Sequence, residues 1–193
     1  MFPISTALIV IDVQKGFLDP SWGPRNNPEA EANIASLIVA WRRSGRPIRH
    51  IHHSSRSPAG SFYRGTAGHE PKPEAIPASG EPIYLKEVNS GFIGTSLEQD
   101  LRADGVNTLV LVGLTTNHCV STTTRMAGNL GFTTYVVEDA TATFDRLGLG
   151  GEMRSAADVH AAALSDLSGE FATIVRTNDV LEELQMRRSV VTS

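Results

Sequence analysis

The chain has 193 residues, of which 40% are hydrophobic and 20% are charged. This length suits one α/β domain, which we place at residues 1–193, and the composition excludes wholesale disorder or a fibrous repeat. The formal net charge is −4, from 17 basic and 21 acidic residues. A chain with this charge balance has no excess of positive charge to attract nucleic acid or an anionic membrane surface, so we expect neither as a partner.

Cys119 is the only cysteine in the chain. It therefore has no partner for an intramolecular disulfide, and a zinc cluster built from several cysteines is excluded. Residues 1–6 carry no basic side chain ahead of the apolar run at 7–11, which Asp12 ends. That run is far shorter than the roughly 20 apolar residues of a membrane span and does not resemble a secretory signal. We expect a cytoplasmic protein.

Short apolar runs, rich in β-branched residues, mark the predicted strands. They lack polar alternation, which is typical of strands buried on both faces of a parallel sheet. The two strongest runs are residues 7–11 and 108–112. Four weaker candidates are residues 47–52, 82–86, 133–137 and 171–175.

Amphipathic stretches lie between these runs and predict helices. In the first, Ile34, Leu37 and Trp41 recur at helical spacing before Gly45, a helix-ending residue. Alternating strands and helices predict a single doubly wound, Rossmann-like α/β domain, with about six mostly parallel strands and helices on both faces. The predicted helices are residues 28–44, 96–103, 117–130, 152–167 and 178–187.

One long segment, residues 54–80, has no helical or strand pattern and is rich in proline and glycine. An irregular segment of this length in a compact domain is usually a lid, an interface arm or a mobile loop. Its aromatic residues, Phe62 and Tyr63, are candidates to close over a site or to reach a neighbouring subunit.

Three side chains with reactive groups follow three separate predicted strands. Asp12 and Lys86 end the first and third strands, and Cys119 follows the fourth near the start of a helix. Because functional groups in an open parallel sheet gather at the carboxyl ends of the strands, we expect these three residues to meet at one edge.

This trio suits nucleophilic catalysis by a thiol. A helix N-terminus and a nearby lysine both favour the thiolate, and a carboxylate can accept the thiol proton and return it to a leaving amine. Each residue also has a structural alternative. A single cysteine is more often a small buried apolar residue, Asp12 can cap a turn, and Lys86 can be a solvated strand end.

Three motifs carry a resemblance to a known family. Residues 7–17 (ALIVIDVQKGF) resemble the opening motif of the isochorismatase-like cysteine hydrolases, and residues 85–95 (LKEVNSGFIGT) resemble their lysine motif. Residues 113–123 (GLTTNHCVSTT) resemble the nucleophile motif, which is the most specific of the three. The similarity extends over residues 4–181, with the loop at 54–80 least alike.

The resemblance implies roles for particular residues. Asp12, Lys86 and Cys119 match the family's base, electrostatic partner and nucleophile. The bond between Leu114 and Thr115 falls where the family has a cis peptide, and the backbone N–H groups of Thr115 and Cys119 then become the oxyanion donors. The implied reaction is hydrolysis of a small amide, lactam or carbamoyl C–N bond through a thioester, with no cofactor.

The histidines at the end of the second predicted strand leave an alternative open. Nicotinamidases of the family use an Asp-x-His metal motif there, whereas this chain has His50, His52 and His53 without the aspartate. We therefore assign no metal. A metal-assisted, nicotinamidase-like amidase using these histidines is the second hypothesis, and the alternative is that they form a polar strand end.

Phe17, Trp22, Phe92 and His118 are the candidate substrate-binding residues, because they flank the predicted catalytic positions in sequence. Covering the sheet edge is the alternative role of the three aromatic residues. The Asn117-His118 pair resembles a branch that includes streptothricin hydrolase-like enzymes. The resemblance also implies a homodimer or homotetramer, and a non-catalytic binding or assembly protein is the third hypothesis.

Overall fold

The computed structural model describes residues 2–191, with side chains described through residue 186. Its centre is a parallel six-stranded sheet, which confirms the predicted fold class and strand number. A two-stranded antiparallel hairpin lies outside this sheet. The sheet strands are β1 (Ala7–Ile11), β2 (Ile48–His53), β3 (Ile83–Lys86), β4 (Thr108–Leu114), β5 (Thr133–Ala142) and β8 (Thr173–Val175), and the hairpin strands are β6 (Arg146–Leu147) and β7 (Met153–Arg154).

The strand order is β3-β2-β1-β4-β5-β8. The chain starts in the middle of the sheet, adds β2 and β3 on one side, and then crosses over to add the remaining strands on the other side. The reversal falls between β1 and β4, which pair directly. In an open α/β sheet, ligands bind in the crevice that such a reversal creates at the carboxyl ends of the strands.

Five α-helices cover the two faces of the sheet. Two of them differ from prediction at their N-termini. A π-helical turn at Thr116–Val120 precedes α3, and α4 begins only after Ser155, whose side chain accepts a hydrogen bond from the Asp158 backbone N–H. No helix of the described residues has the length and apolar character needed to cross a bilayer. The helices are α1 (Ala30–Ser44), α2 (Leu97–Ala103), α3 (Ser121–Asn129), α4 (Ala156–Leu167) and α5 (Thr177–Val191).

The central strands are buried on both faces, which explains their unbroken apolar sequence. Leu8 and Val10 face a core shared with α1 and α5, whereas Ile9 and Ile11 face a second core shared with α2, α3 and α4. Each fully buried aliphatic side chain of this size contributes roughly 1.5–3 kcal/mol from burial. The two cores fix the sheet rigidly and therefore fix the positions of the residues at its carboxyl edge.

The segment at residues 54–80 packs closely against the residues that follow β1. A methyl group on Gly16 would lie 2.6 Å from the Phe62 ring, and one on Gly68 would lie 2.0 Å from the Ser61 carbonyl oxygen. Only glycine allows so close an approach. The segment therefore covers the carboxyl end of β1 within the same chain, and it buries Phe62 there.

Candidate active site

The ends of β1, β3 and β4 bring Asp12, Lys86 and Cys119 together. Asp12 directly follows β1, and its backbone N–H donates to the carbonyl of Ile51 at 2.8 Å. Lys86 is the last residue of β3, and Cys119 lies in the π-helical turn between β4 and α3. Three segments that are distant in sequence thus meet at the carboxyl edge of the sheet.

The Lys86 ammonium is the centre of this cluster. Its Nζ lies 2.6 Å from Asp12 Oδ2, 3.3 Å from Cys119 Sγ and 3.3 Å from His53 Nδ1. The side chains of Asp12 and Lys86 are 1% and 0% exposed, so neither charge is stabilised by bulk water. Donor atoms of Asp12, His53 and Cys119 all lie within 4.8 Å of one another.

Gly113 allows β4 to approach the end of β1. Its φ is 122°, and a Cβ at this position would lie 2.0 Å from the Ile11 carbonyl oxygen. Every other residue would push β4 away from β1 at the point where both strands deliver a reactive side chain. This glycine therefore sets the distance between Asp12 and the turn that holds Cys119.

The surroundings of Cys119 act on the pKa of its thiol in opposite directions. Burial is the main cause that raises the pKa of the Cys119 thiol to about 12, and the Asp12 carboxylate raises it further, whereas Lys86 lowers it. Burial and the Asp12 carboxylate therefore oppose the thiolate, whereas Lys86 favours it, as the sequence predicts. The effect of Lys86 is limited because its charge is already matched by Asp12, so the pair offers no net positive charge to a second anion.

The turn that carries Cys119 is anchored on Thr115. The Leu114–Thr115 peptide is cis. The Thr115 carbonyl accepts hydrogen bonds from the backbone N–H groups of His118 and Val120, at 3.1 and 3.2 Å. The two donors are the residues before and after Cys119, so these bonds fix the backbone at Cys119 and with it the direction of its side chain.

A small cavity of about 130 Å³ opens beside Asp12 and Cys119. Phe17, Trp22 and Phe62 form its aromatic wall, with the Phe17 ring 4.7 Å from Phe62 and 5.1 Å from Trp22. The Trp22 indole N–H donates to the Gly16 carbonyl at 3.0 Å, which fixes that ring. The remaining lining residues are Asp12, His53, Asn89, Thr115, His118 and Cys119.

Phe92 does not reach this cavity. Its ring is 9% exposed and stacks on Phe132 at 5.9 Å, in the core that the sheet shares with α2, α3 and α4. Its place at the mouth is taken by Asn89, whose Oδ1 lies 3.9 Å from Cys119 Sγ. The chain after Lys86 turns so that Phe92 points into the core, and the structure does not place this predicted substrate-binding residue at the cavity.

His118 lies at the mouth, between the cavity and the β6–β7 hairpin. Its Nε2 is 3.0 Å from Arg146 Nη1, and its Nδ1 is 3.3 Å from Thr115 Oγ1. An arginine can only donate, so Nε2 is the acceptor and Nδ1–H donates to Thr115. Burial and the neighbouring Arg146 charge both lower the pKa of His118, which agrees with a neutral ring.

The three histidines of β2 do not form one ligand set. Alternation along the strand places His50 and His52 on one face and His53 on the other. His50 Nε2 is 2.8 Å from Glu81 Oε2, whereas His53 contacts Lys86. Within the described part of the chain, one group of three suitable donor atoms lies close together, namely Asp12, His53 and Cys119. The Lys86 ammonium lies among these donors and would repel a cation, so this set does not fit a metal ion.

Several cavity residues were not assigned to the site from the sequence. His53 was considered only as a metal ligand, and Asn89 and Arg146 were not considered. The sequence could have placed His53 in the site, because His53 ends β2 at the same edge of the sheet where Lys86 ends β3. Asn89 lies in an irregular segment and Arg146 in a strand of two residues, where sequence pattern does not indicate side-chain direction.

A cysteine, a buried aspartate and a buried lysine thus meet at the carboxyl edge of a doubly wound α/β sheet. The isochorismatase domain model matches residues 6–179, and the chain therefore belongs to the isochorismatase family. The isochorismatase family protein YrdC of Bacillus subtilis is 45% identical over 177 residues, covering 92% of this chain and 95% of YrdC. A crystal structure of an isochorismatase-family protein from Chromobacterium violaceum superposes with a TM-score of 0.93 at 44% identity, covering 96% of both chains.

More distant relatives include proteins whose names state an activity. Maleamate amidohydrolase of Pseudomonas putida is 28% identical, covering 93% of this chain and 86% of the enzyme. Nicotinamidase 3 of Arabidopsis thaliana is 29% identical, covering 88% and 83%. Streptothricin hydrolase of Streptomyces noursei is 31% identical over 142 residues, covering 72% of this chain but 50% of the enzyme, so that branch is a distant match. The family thus contains hydrolases that act on amide bonds.

Proposed function

We propose that this protein is an amidohydrolase that cleaves the C–N bond of a small amide, lactam or carbamoyl compound through a thioester on Cys119. The observation that carries the proposal is the contact of one buried ammonium, Lys86, with both the Asp12 carboxylate and the Cys119 thiol. A carboxylate within 4.8 Å of a protonated thiol is a base positioned for proton transfer. The names of the maleamate and nicotinamide amidohydrolase relatives favour the same reaction class.

The first half-reaction forms the thioester. Asp12 accepts the thiol proton as Cys119 Sγ attacks the carbonyl carbon, so that the thiolate exists only when a substrate is present. The backbone N–H groups of Thr115 and Cys119 stabilise the tetrahedral oxyanion. Asp12 then donates its proton to the nitrogen, the C–N bond breaks, and ammonia or an amine leaves.

The second half-reaction releases the acid. Asp12, now a carboxylate again, accepts a proton from water as the water oxygen attacks the thioester carbonyl. The C–S bond breaks, and the proton returns from Asp12 to Cys119 Sγ. Throughout the cycle Lys86 compensates the negative charge that moves between Asp12 and sulfur, which is why its burial matters. No step is assigned to a metal ion.

The cavity limits the size of the substrate. A volume of about 130 Å³ accommodates a compact molecule and excludes a folded peptide chain. Its aromatic wall of Phe17, Trp22 and Phe62 favours a flat or apolar acyl group, and His118 and Asn89 offer polar contacts at the mouth.

The proposal is tested by trapping the intermediate. The protein is incubated with a panel of small carboxamides, lactams and carbamoyl compounds, released ammonia or amine is measured, and the reaction is quenched in acid for intact mass. We expect a mass increase equal to the acyl group, located on Cys119 by peptide mapping. Cys119→Ala removes only the thiol group from Cβ. This variant should have the melting temperature of wild type and show neither acylation nor turnover. Undiminished hydrolysis by Cys119→Ala would disprove the mechanism.

We also propose that the chain forms a homodimer or homotetramer. The β6–β7 hairpin supports this, because Leu147, Leu149 and Met153 project into solvent as a group of large apolar side chains. Light scattering coupled to gel filtration measures the mass directly. Replacement of Leu147 and Leu149 by serine should lower that mass if the hairpin lies in the interface.

A further inference from the structure

His53 contacts the catalytic cluster but has no part in the mechanism above. An ammonium has three N–H bonds, and the three acceptors around Lys86 Nζ are Asp12 Oδ2, Cys119 Sγ and His53 Nδ1. The contact with His53, at 3.3 Å, is as short as the contact with the nucleophile itself. The position of the ammonium is therefore determined by three neighbours, of which the proposed reaction uses two.

The contact defines the protonation state of His53. Since an ammonium can only donate, Nδ1 must carry the lone pair, and a neutral ring then holds its proton on Nε2. Burial, and next the charge of Lys86, lower the pKa of His53, so the ring stays neutral at neutral pH. The charged or titratable groups around this ring are Lys86, Asp12, Glu87, His69 and the Cys119 thiol.

His53 is held firmly enough to act as a fixed acceptor. Its backbone pairs with Lys86 in the parallel register of β2 and β3. The buried Gln14 side chain accepts from the His53 backbone N–H at 2.8 Å and donates to its carbonyl at 3.0 Å. The ring packs edge-on against Phe62 at 5.7 Å. Backbone and ring are thus both fixed by buried neighbours.

We propose that His53 is a positioning residue for Lys86, whose Nδ1 lone pair holds one ammonium N–H so that the other two remain directed at Asp12 and Cys119. Without this acceptor, the ammonium moves toward the Asp12 carboxylate, to which it already lies closest, and away from sulfur. When His53 is protonated, the lone pair is lost and two cations face each other. The role in turnover rests on the proposed amidase function, whereas the effect on the thiol does not.

Two variants of similar size separate this role from simple packing. In His53→Asn the side-chain oxygen can occupy the position of Nδ1 and retain the acceptor, whereas His53→Leu fills the space without one. We expect kcat within about threefold of wild type for His53→Asn and at least about tenfold lower for His53→Leu, with little change in KM, because misplacement of a charge near the reacting atoms affects mainly the chemical step. The acid limb of the wild-type pH profile should move to lower pH in His53→Asn, which has no titrating ring.

Alkylation of Cys119 gives a readout that needs no substrate. Iodoacetamide should react more slowly with His53→Leu than with wild type between pH 8 and 9, because the thiolate loses part of its cation, and His53→Asn should react at the wild-type rate. Melting temperatures exclude unfolding as the cause. Equal alkylation rates and equal kcat in wild type and His53→Leu would overturn the inference. If wild type hydrolyses no amide while the alkylation difference holds, the proposed function fails and the positioning role stands.

Discussion

Lys86 Nζ lies 2.6 Å from Asp12 Oδ2, and both side chains are almost completely buried. Each charge is paired with the other and shielded from bulk water, so removing either one leaves an uncompensated charge. The pair therefore controls two properties that are usually linked, namely the reactivity of the Cys119 thiol and its use in catalysis.

Asp12→Asn should separate these two properties. The Asp12 carboxylate raises the pKa of the Cys119 thiol, and Lys86 lowers it. Replacement by the neutral amide removes the first effect and frees the lysine to stabilise the thiolate. We expect alkylation by iodoacetamide at pH 7.5 to become about tenfold faster, which corresponds to about one unit of pKa. Hydrolysis should be lost, because no base remains to move the proton.

The measurement is a pair of rates on the same samples. Intact mass follows alkylation over time, and ammonia release follows turnover. Wild type should alkylate more slowly than free cysteine at this pH, because burial keeps its thiol protonated. An Asp12→Asn variant that alkylates more slowly than wild type would show that the carboxylate does not control the thiol.

Phe62 should control substrate affinity from the long loop. It forms part of the cavity wall, whereas the adjacent Tyr63 does not line the cavity. Phe62→Ala opens the wall, and we expect KM to rise by about tenfold or more, since even one missing methylene contact in a hydrophobic pocket typically costs about 1–3 kcal/mol. Tyr63→Ala is the matched control on the same loop and should leave KM within about twofold. Steady-state kinetics with a substrate from the amide panel give both values, and similar KM changes in the two variants would refute the assignment.

Arg146 should favour substrates that carry a negative charge. Its guanidinium contacts neutral His118 at the cavity mouth, and no carboxylate partner is seen for it among the described residues. Arg146→Gln should lower kcat/KM for an anionic amide such as a dicarboxylic acid monoamide by about tenfold, and change that of the matching neutral diamide little. Arg154→Gln is the control, because Arg154 lies on the same hairpin but pairs with Glu152 at 2.9 Å. A uniform loss on both substrates would contradict a charge-based role.

His52 should make stability depend on pH in the acid range. Burial, with smaller effects of His50 and His69, lowers the pKa of His52 from 6.5 to about 4. The unfolded chain therefore binds a proton that the folded chain does not, and stability is lost as pH falls from about 6.5 toward 4. The full difference amounts to roughly 3 kcal/mol for this one residue.

The check is the slope of melting temperature against pH between 7 and 4.5. His52→Gln has no titrating ring and should show a flatter slope than wild type, whatever its absolute stability. His118→Gln is the comparison, because His118 lies at the exposed mouth and its removal should change the slope less. A wild-type slope retained in His52→Gln would mean that other groups account for the acid sensitivity.

The fold could be predicted because its signals are local. The apolar runs at β1 and β4 have no polar alternation, which is what strands buried on both faces require, and α1 ends at Gly45, which has a left-handed conformation. Element boundaries shifted where tertiary contacts compete with local pattern. The helix predicted at 152–167 begins only at Ala156, because Met153 and Arg154 pair with the β6 strand instead.

The sequence by itself determined that Asp12, Lys86 and Cys119 gather at one edge, because the carboxyl ends of parallel strands meet there whatever the side chains do. Only the tertiary structure decided what state they are in. Burial raises the pKa of the Cys119 thiol, Phe92 is turned into the core, and His53 is the third neighbour of the ammonium. Those outcomes depend on burial and on distances of a few ångströms between segments far apart in the chain, and no pattern along the sequence contains them.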